Sequence, residues 1–168
     1  MRIIVSDTSC LIDLHKGGLL EAFLTLPYEL VIPDVLLNNE LLSFTKKDLT
    51  LLKRKMTVAT LEGNGVNRVG WILTRSPALS TYDGFAFVVA EERPGSILLT
   101  GDKRLRYLAE EAEIEVHGVL WVIEELATNE ATKSRSLLKA LMLWRDDMTV
   151  RLPRVELNRM ITKFQGKL

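Results

Sequence analysis

Sulfur and imidazole are scarce in this chain: it holds one cysteine, Cys10, and two histidines, His15 and His117. An internal disulfide framework is therefore excluded. A zinc site of the usual Cys/His kind is excluded as well, because these three side chains are scattered and lack ligand spacing. No apolar run approaches the roughly 18 residues that a membrane span needs. The first strand-like stretch, Ile3-Ile4-Val5, meets Asp7 at once and is too short for a secretory leader. Repeats, low-complexity tracts and a Pro/Gly/Ser-rich linker are absent. What the chain has is 47% hydrophobic and 26% charged residues over 168 positions, enough to bury a core and too ordered a composition for a disordered chain. The expectation is a soluble, cytoplasmic protein with no membrane association.

Charge of one sign is also missing overall, since 22 Lys and Arg balance 22 Asp and Glu. The balance hides segregation. Residues 43–75 carry seven basic and two acidic side chains, and residues 126–168 carry nine and four. Residues 76–125 carry four and ten. Basic surfaces flanking an acidic centre are compatible with a polyanionic ligand, although charge runs are usually just solvated faces.

Short β-branched or leucine-rich runs alternate with helical periodicity. Ile3-Ile4-Val5, Leu30-Val31-Ile32, Thr57 to Leu61, Ile97-Leu98-Leu99 and Ile114 to Val116 read as strands. Helices are expected between them: one from Leu11 to Leu24 interrupted at Gly17-Gly18, one from Asp34 through Leu42, and one ending near Lys55 behind the capping-box spacing Thr45-x-x-Asp48. Others run over Val66 to Thr74, Tyr82 to about Glu92 behind Ser80 or Thr81, and Leu105 to Ala112. Val119 to Leu126, Ser134 to Trp144 and Val155 to Phe164 close the chain. This alternation implies a parallel sheet covered by helices on both faces. Residues 1–126 are expected to form the main domain and 127–168 a helical extension packed on it. Trp71, Trp121 and Trp144 read first as core residues, with a partner groove as the alternative.

In a parallel α/β sheet, ligands gather at the carboxyl ends of the strands, near a topological switch point. Two strands end there in an acid, Ser6-Asp7 and Thr100-Gly101-Asp102. Asp83 falls in the first turn of a helix whose apolar residues Phe85, Ala86, Val88 and Val89 turn it toward the sheet. Glu40 falls on the helix after the second strand. Singly, each acid has a plainer explanation as a helix cap, a dipole-facing acid or a surface residue. Gathered on one rim they would repel each other unless a hard divalent cation sat among them, with oxygen ligands and waters that a phosphate can replace.

The ordered pieces Asp7-Thr8-Ser9-Cys10-Leu11-Ile12, Val31-Ile32-Pro33-Asp34-Val35 leading to Glu40-Leu41, Leu79-Ser80-Thr81-Tyr82-Asp83-Gly84-Phe85-Ala86 and Leu98-Leu99-Thr100-Gly101-Asp102 resemble a PIN domain over about residues 1–126. The resemblance implies a three-layer α/β sandwich with a central parallel five-stranded sheet, and a ribonuclease that uses Mg²⁺ or Mn²⁺. It implies that Asp7, Glu40, Asp83 and Asp102 hold the ion and carry catalysis. Thr8, Ser9, Lys103 and Arg104 are the candidates for contacting an RNA substrate. Many bacterial and archaeal proteins of this kind are VapC-like toxins, so an antitoxin protein and a homodimer are implied partners. One departure stands out: the family's second acid usually lies one position nearer the proline, where this chain has Asn39.

Two rivals compete. A dinucleotide site at Gly63-Asn64-Gly65 would want a third glycine where Arg68 stands. A catalytically weak or inactive PIN-like protein would serve as a nucleic-acid or protein binding module, because fold does not fix function.

Overall fold

The structure, a computed structural model, describes residues 1–168. Five strands alternate with helices: β1 (Ile3–Ser6), α1 (Thr8–Lys16), α2 (Leu20–Phe23), β2 (Glu29–Pro33), α3 (Asp34–Asn39), α4 (Lys46–Lys55), β3 (Thr57–Ala59), α5 (Asn64–Arg75), α6 (Thr81–Glu91), β4 (Ile97–Leu99), α7 (Lys103–Glu111) and β5 (Glu115–His117). Three helices follow: α8 (Val119–Thr128), α9 (Ser134–Asp146) and α10 (Arg154–Gln165). No helix is long and apolar enough to cross a membrane.

The chain forms two compact units that interleave in sequence: Met1–Ser9 with Pro27–His117, and Cys10–Leu26 with Gly118–Leu168. The first unit holds the sheet, in order β3-β2-β1-β4-β5 with every pair parallel. The expected α/β class, an all-parallel five-stranded sheet flanked by helices, is what the structure shows. Val5 pairs with Val31 on one side and Leu98 on the other, so β1 is central, and Ile4, Val5 and Ser6 are fully buried. Buried on both faces, such strands read as continuous apolar runs instead of alternating ones. Helix α6 packs on β1, β2 and β4. Its residues Gly84 and Ala86 to Ala90 are buried nearly all round, as expected for a helix with neighbours on several sides. One of those neighbours is α5: a Cβ on Gly84 would stand 3.0 Å from Val69 Cγ1, so the missing side chain lets the two helices close up.

The second unit is helical. Its largest fully buried side chain is Trp144, whose indole N–H donates to the Asp13 carbonyl at 2.8 Å. Where α1 ends, a Cβ on Gly17 would lie 3.0 Å from both Ala140 Cβ and the Trp144 ring. Glycine is therefore required there by close approach. Trp144 is a core residue as expected, but Trp71 of the sheet unit is not, being 47% exposed.

Two boundaries differ from expectation in a way that touches function. Helix α3 stops at Asn39 instead of running through Leu42, and Glu40 is its C-cap residue. Leu41 turns into the core while Leu42 is 87% exposed. Strand β3 ends at Ala59, short of Leu61, because it is the sheet edge and pairs only with β2.

Candidate metal and phosphate site

Strand order reverses direction between β1 and β4: the chain runs outward from β1 to β2 and β3, then returns to β4 and β5. The loops leaving β1 and β4 must therefore part, and their crevice is where a parallel sheet binds ligands. Asp7 leaves β1 and Thr100-Gly101-Asp102 leave β4 at that point.

Asp7 is the centre of the arrangement and is only 4% exposed. Its backbone N–H donates to the Leu99 carbonyl at 2.8 Å, which continues the β1–β4 ladder and holds the side chain at the crevice. One carboxylate oxygen, Oδ1, accepts from the Thr8 N–H at 2.8 Å. The other, Oδ2, accepts hydroxyl donors from Thr100 at 2.8 Å and Ser9 at 3.0 Å. Each of those hydroxyls in turn accepts a backbone N–H from the β4 loop, Asp102 onto Thr100 at 3.1 Å and Gly101 onto Ser9 at 3.0 Å. Three donors, the Thr8 N–H and the Thr100 and Ser9 hydroxyls, are therefore aimed at the carboxylate. Even so, burial pushes its carboxyl up from 3.8 to about 6, and the nearby Asp83 charge adds to the rise, while the bonds from Thr100, Ser9 and Thr8 oppose it.

The remaining acids are held by local chemistry. Asp83 forms the α6 capping box with Ser80: the Ser80 N–H donates to Asp83 Oδ2 at 2.8 Å and the Asp83 N–H to Ser80 Oγ at 3.1 Å. Asp102 is the α7 N-cap, its Oδ1 accepting from the N–H groups of Arg104 and Leu105, both at 2.9 Å. Glu40 accepts a hydrogen bond from the Thr8 hydroxyl through Oε2. Asn39 instead turns its amide back onto the Val35 carbonyl at 2.8 Å and is exposed. At this corner it is Glu40, not Asn39, that joins the Asp7 network. Asp83, Asp102 and Glu40 each spend one carboxylate oxygen on these bonds and leave the second without a protein donor. None of the four acids is ion-paired to a lysine or arginine.

The four acids do not form a closed cage, since no three acidic, histidine or cysteine side chains stand together closely enough to hold an ion alone. The structure draws Asp83 into the charge environment of Asp7; it links the Asp102 backbone N–H to Asp7 through the Thr100 hydroxyl, and Glu40 to Asp7 through Thr8, whose hydroxyl bonds Glu40 and whose N–H bonds Asp7. That donor set is all oxygen, anionic and free of counter-charge. It fits a hard cation such as Mg²⁺, which keeps several waters and takes only one or two carboxylates from the protein.

Of the expected substrate contacts, Lys103 and Arg104 are exposed in the first turn of α7, and the Arg104 guanidinium reaches the Ala78 carbonyl at 3.3 Å. Thr8 and Ser9 use their hydroxyls on Glu40 and Asp7. Thr100 belongs to the site without having been marked by its sequence. A threonine closing an apolar strand reads as one more β-branched residue; the only hint is its position two before an N-cap aspartate. The Gly63-Asn64-Gly65 turn lies beyond the edge strand β3, away from the strand-order reversal, and Arg68 is bound by Glu91 at 2.9 and 2.7 Å. A dinucleotide site has no support there.

A family profile described as PIN domain matches residues 3–165. No curated protein matches the chain.

Proposed function

Because the chain belongs to the PIN domain family, whose fold is of the nuclease type, we propose that it is a divalent-metal-dependent ribonuclease that hydrolyses phosphodiester bonds in RNA. The observation that carries this reading is the buried, unpaired Asp7 carboxylate at the strand-order reversal, with a second acid, Asp83, beside it. Two like charges held together without a cation are costly unless an ion or a proton offsets them. Asp7 and Asp83 would hold Mg²⁺ or Mn²⁺, with Asp102 and Glu40 available through their second oxygens. The ion, when bound, supplies positive charge opposite a phosphate and favours deprotonation of an attacking water.

The chain's own residues do the rest. Thr100 and Ser9 hold Asp7 Oδ2 in place, so the carboxylate does not swing when its charge is neutralised. Thr8 orients Glu40 toward the crevice. The α7 N-terminus presents Lys103 and Arg104 on its exposed first turn, where a polyanion is attracted by their charge.

Millimolar Mg²⁺ with single-stranded RNA tests the reading directly: the wild-type chain cleaves and Asp7→Asn does not. Equal cleavage by both would remove the assignment. The rival reading, a PIN-like binding module without catalysis, draws on the absence of a ready-made three-acid cage. It predicts no shift of the melting temperature in Mg²⁺ or Mn²⁺, whereas an ion-binding site is stabilised by mass action. A toxin role, with an antitoxin and a homodimer as partners, extends the same proposal. Growth arrest on expression, reversed by the product of a neighbouring gene, is the outcome it requires.

A further inference from the structure

Trp71 lies on the outer face of α5 and is 47% exposed, which for the largest side chain calls for an explanation. Two guanidinium groups from its own helix flank it, Arg68 at 4.5 Å and Arg75 at 4.2 Å from the ring centroid. Arg68 is also clamped by Glu91 in a two-pronged ion pair. Arg75 is exposed and has no carboxylate partner. Both guanidinium groups lie over the ring, but only that of Arg68 is fixed; that of Arg75 has no carboxylate to hold it and is the one an incoming group can displace.

The helix that carries the patch packs on the helix that carries Asp83. Gly84, the residue after Asp83, packs on Val69 and Leu73, whose atoms would lie 3.0 and 3.3 Å from a Cβ there. Val69 and Leu73 are two positions before and after Trp71, on the opposite side of the helix, so about one helix diameter, roughly 10–12 Å, separates the ring from that contact. The short 76–80 segment joins this helix to the Asp83 capping box, and Arg104 reaches its Ala78 carbonyl.

We infer that Trp71, with Arg75, is a stacking station for single-stranded RNA leading to or from the Asp7 site. A base takes the place of the unclamped Arg75 guanidinium on the indole, as an indole face stacks on any base, and the freed guanidinium meets the phosphate. A duplex, whose bases are already stacked and whose edges are hidden, would gain little from it. A second copy of this chain fits poorly. In a two-fold contact centred on Trp71, the Arg68 and Arg75 pair of one copy would be brought against the same pair of the other, within a segment (43–75) that already carries seven basic and two acidic residues. The inference rests on the ribonuclease reading for its direction but not for its binding step.

The test is fluorescein-labelled single-stranded 12-mer RNA, titrated against the full chain in EDTA so that no cleavage occurs, with a duplex of equal length for comparison. The single strand should quench tryptophan emission. Trp71→Ala should abolish most of the quench and weaken binding about tenfold, with Trp71→Phe recovering most of the affinity. Arg75→Gln should weaken binding severalfold and flatten its salt dependence by about one phosphate contact. With Mg²⁺, Trp71→Ala should raise KM and leave kcat near wild type. Unchanged affinity in Trp71→Ala, or equal quenching by duplex, would overturn the inference. So would a Trp71→Ala chain that binds RNA normally but loses a dimer on size exclusion, which would assign the face to a second copy. If the wild type never cleaves yet the quench and its loss in Trp71→Ala persist, the ribonuclease reading fails and the stacking site stands.

Discussion

Two aspartates six residues apart, one in each compact unit, are both pushed up to about 6 chiefly by burial, yet their surroundings differ. In the sheet unit, Asp7 is surrounded by donors from Thr8, Ser9 and Thr100, and the nearest charge that matters to it is another acid, Asp83. In the helical unit, Asp13 has Lys16 to pull its pKa back down, with Asp147 opposing, and Lys16 also bonds Thr149 at 2.6 Å. A structural acid comes with its own counter-charge. An acid that lacks one, and whose neighbours donate to its ionised form, is the acid at which the proposed cation would sit. The same direction of shift therefore means different things, and the surroundings decide.

The comparison breaks most decisively at Asp7. Asp7→Asn should lower Mg²⁺-dependent RNA cleavage by about a thousandfold or more, since the loss of charge at a metal site removes several kcal/mol of transition-state stabilisation. The same substitution should stabilise the metal-free chain. A carboxyl raised from 3.8 to about 6 binds its proton more tightly folded than unfolded, so its contribution to stability is greatest below pH 4 and is lost as the pH rises to about 6. At neutral pH the cost is about 2–3 kcal/mol, which chemical denaturation of wild type and variant would read as a difference that opens between pH 4 and pH 6 and then stays level. Next in size is Thr100→Val, which keeps the shape but removes the hydroxyl between Asp7 and the Asp102 N–H. It should cost about 10–100-fold in cleavage, as for other residues that orient a metal ligand. It should also move the acid limb of the pH–rate profile upward, because a bond that favours the Asp7 anion is gone.

Gly17→Ala probes the helical unit. Its new methyl meets Ala140 and Trp144 at 3.0 Å, and overpacking of this kind costs about 1–3 kcal/mol. For a chain of this size that is a drop of about 2–4 °C in Tm per kcal/mol. Cleavage per folded molecule should not change. Smallest is Asp13→Asn. The direction is as for Asp7, a gain in stability above pH 6, but water reaches part of this carboxylate and Lys16 already offsets its charge, so the gain should be well under that of Asp7→Asn. Cleavage should again be untouched. A large loss of activity in Asp13→Asn would mean that the two acids are not different in kind.

Much of this was legible before any coordinates, and what was legible was local. The capping boxes at Thr45/Asp48 and Ser80/Asp83 declare themselves because the side chain and the backbone it bonds lie three residues apart. The buried central strands declare themselves by consecutive apolar residues. Asp7 and Asp102 could be placed on one edge because parallel strands bring their carboxyl ends together. What was hidden depends on distant partners. Thr100 becomes a site residue only through an aspartate 93 positions away. Glu40 looked like a helical surface acid, and only the early end of α3, where Leu41 turns inward, brings its carboxylate to Thr8. The interleaving of the units likewise rests on long-range packing, the indole of Trp144 against the end of α1. The exposure of Trp71 was legible locally: Arg68 and Arg75 stand three and four residues from it on the same helix face, where Trp144 has Ala140 and Leu141.

The most direct measurement is anomalous scattering from crystals soaked in millimolar Mn²⁺. A single ion in contact with the Asp7 carboxylate is the result this account predicts, with none there in Asp7→Asn crystals. An Asp7 side chain that stays bare of metal in the wild type while the crystals diffract and the ion is present in the soak would contradict it.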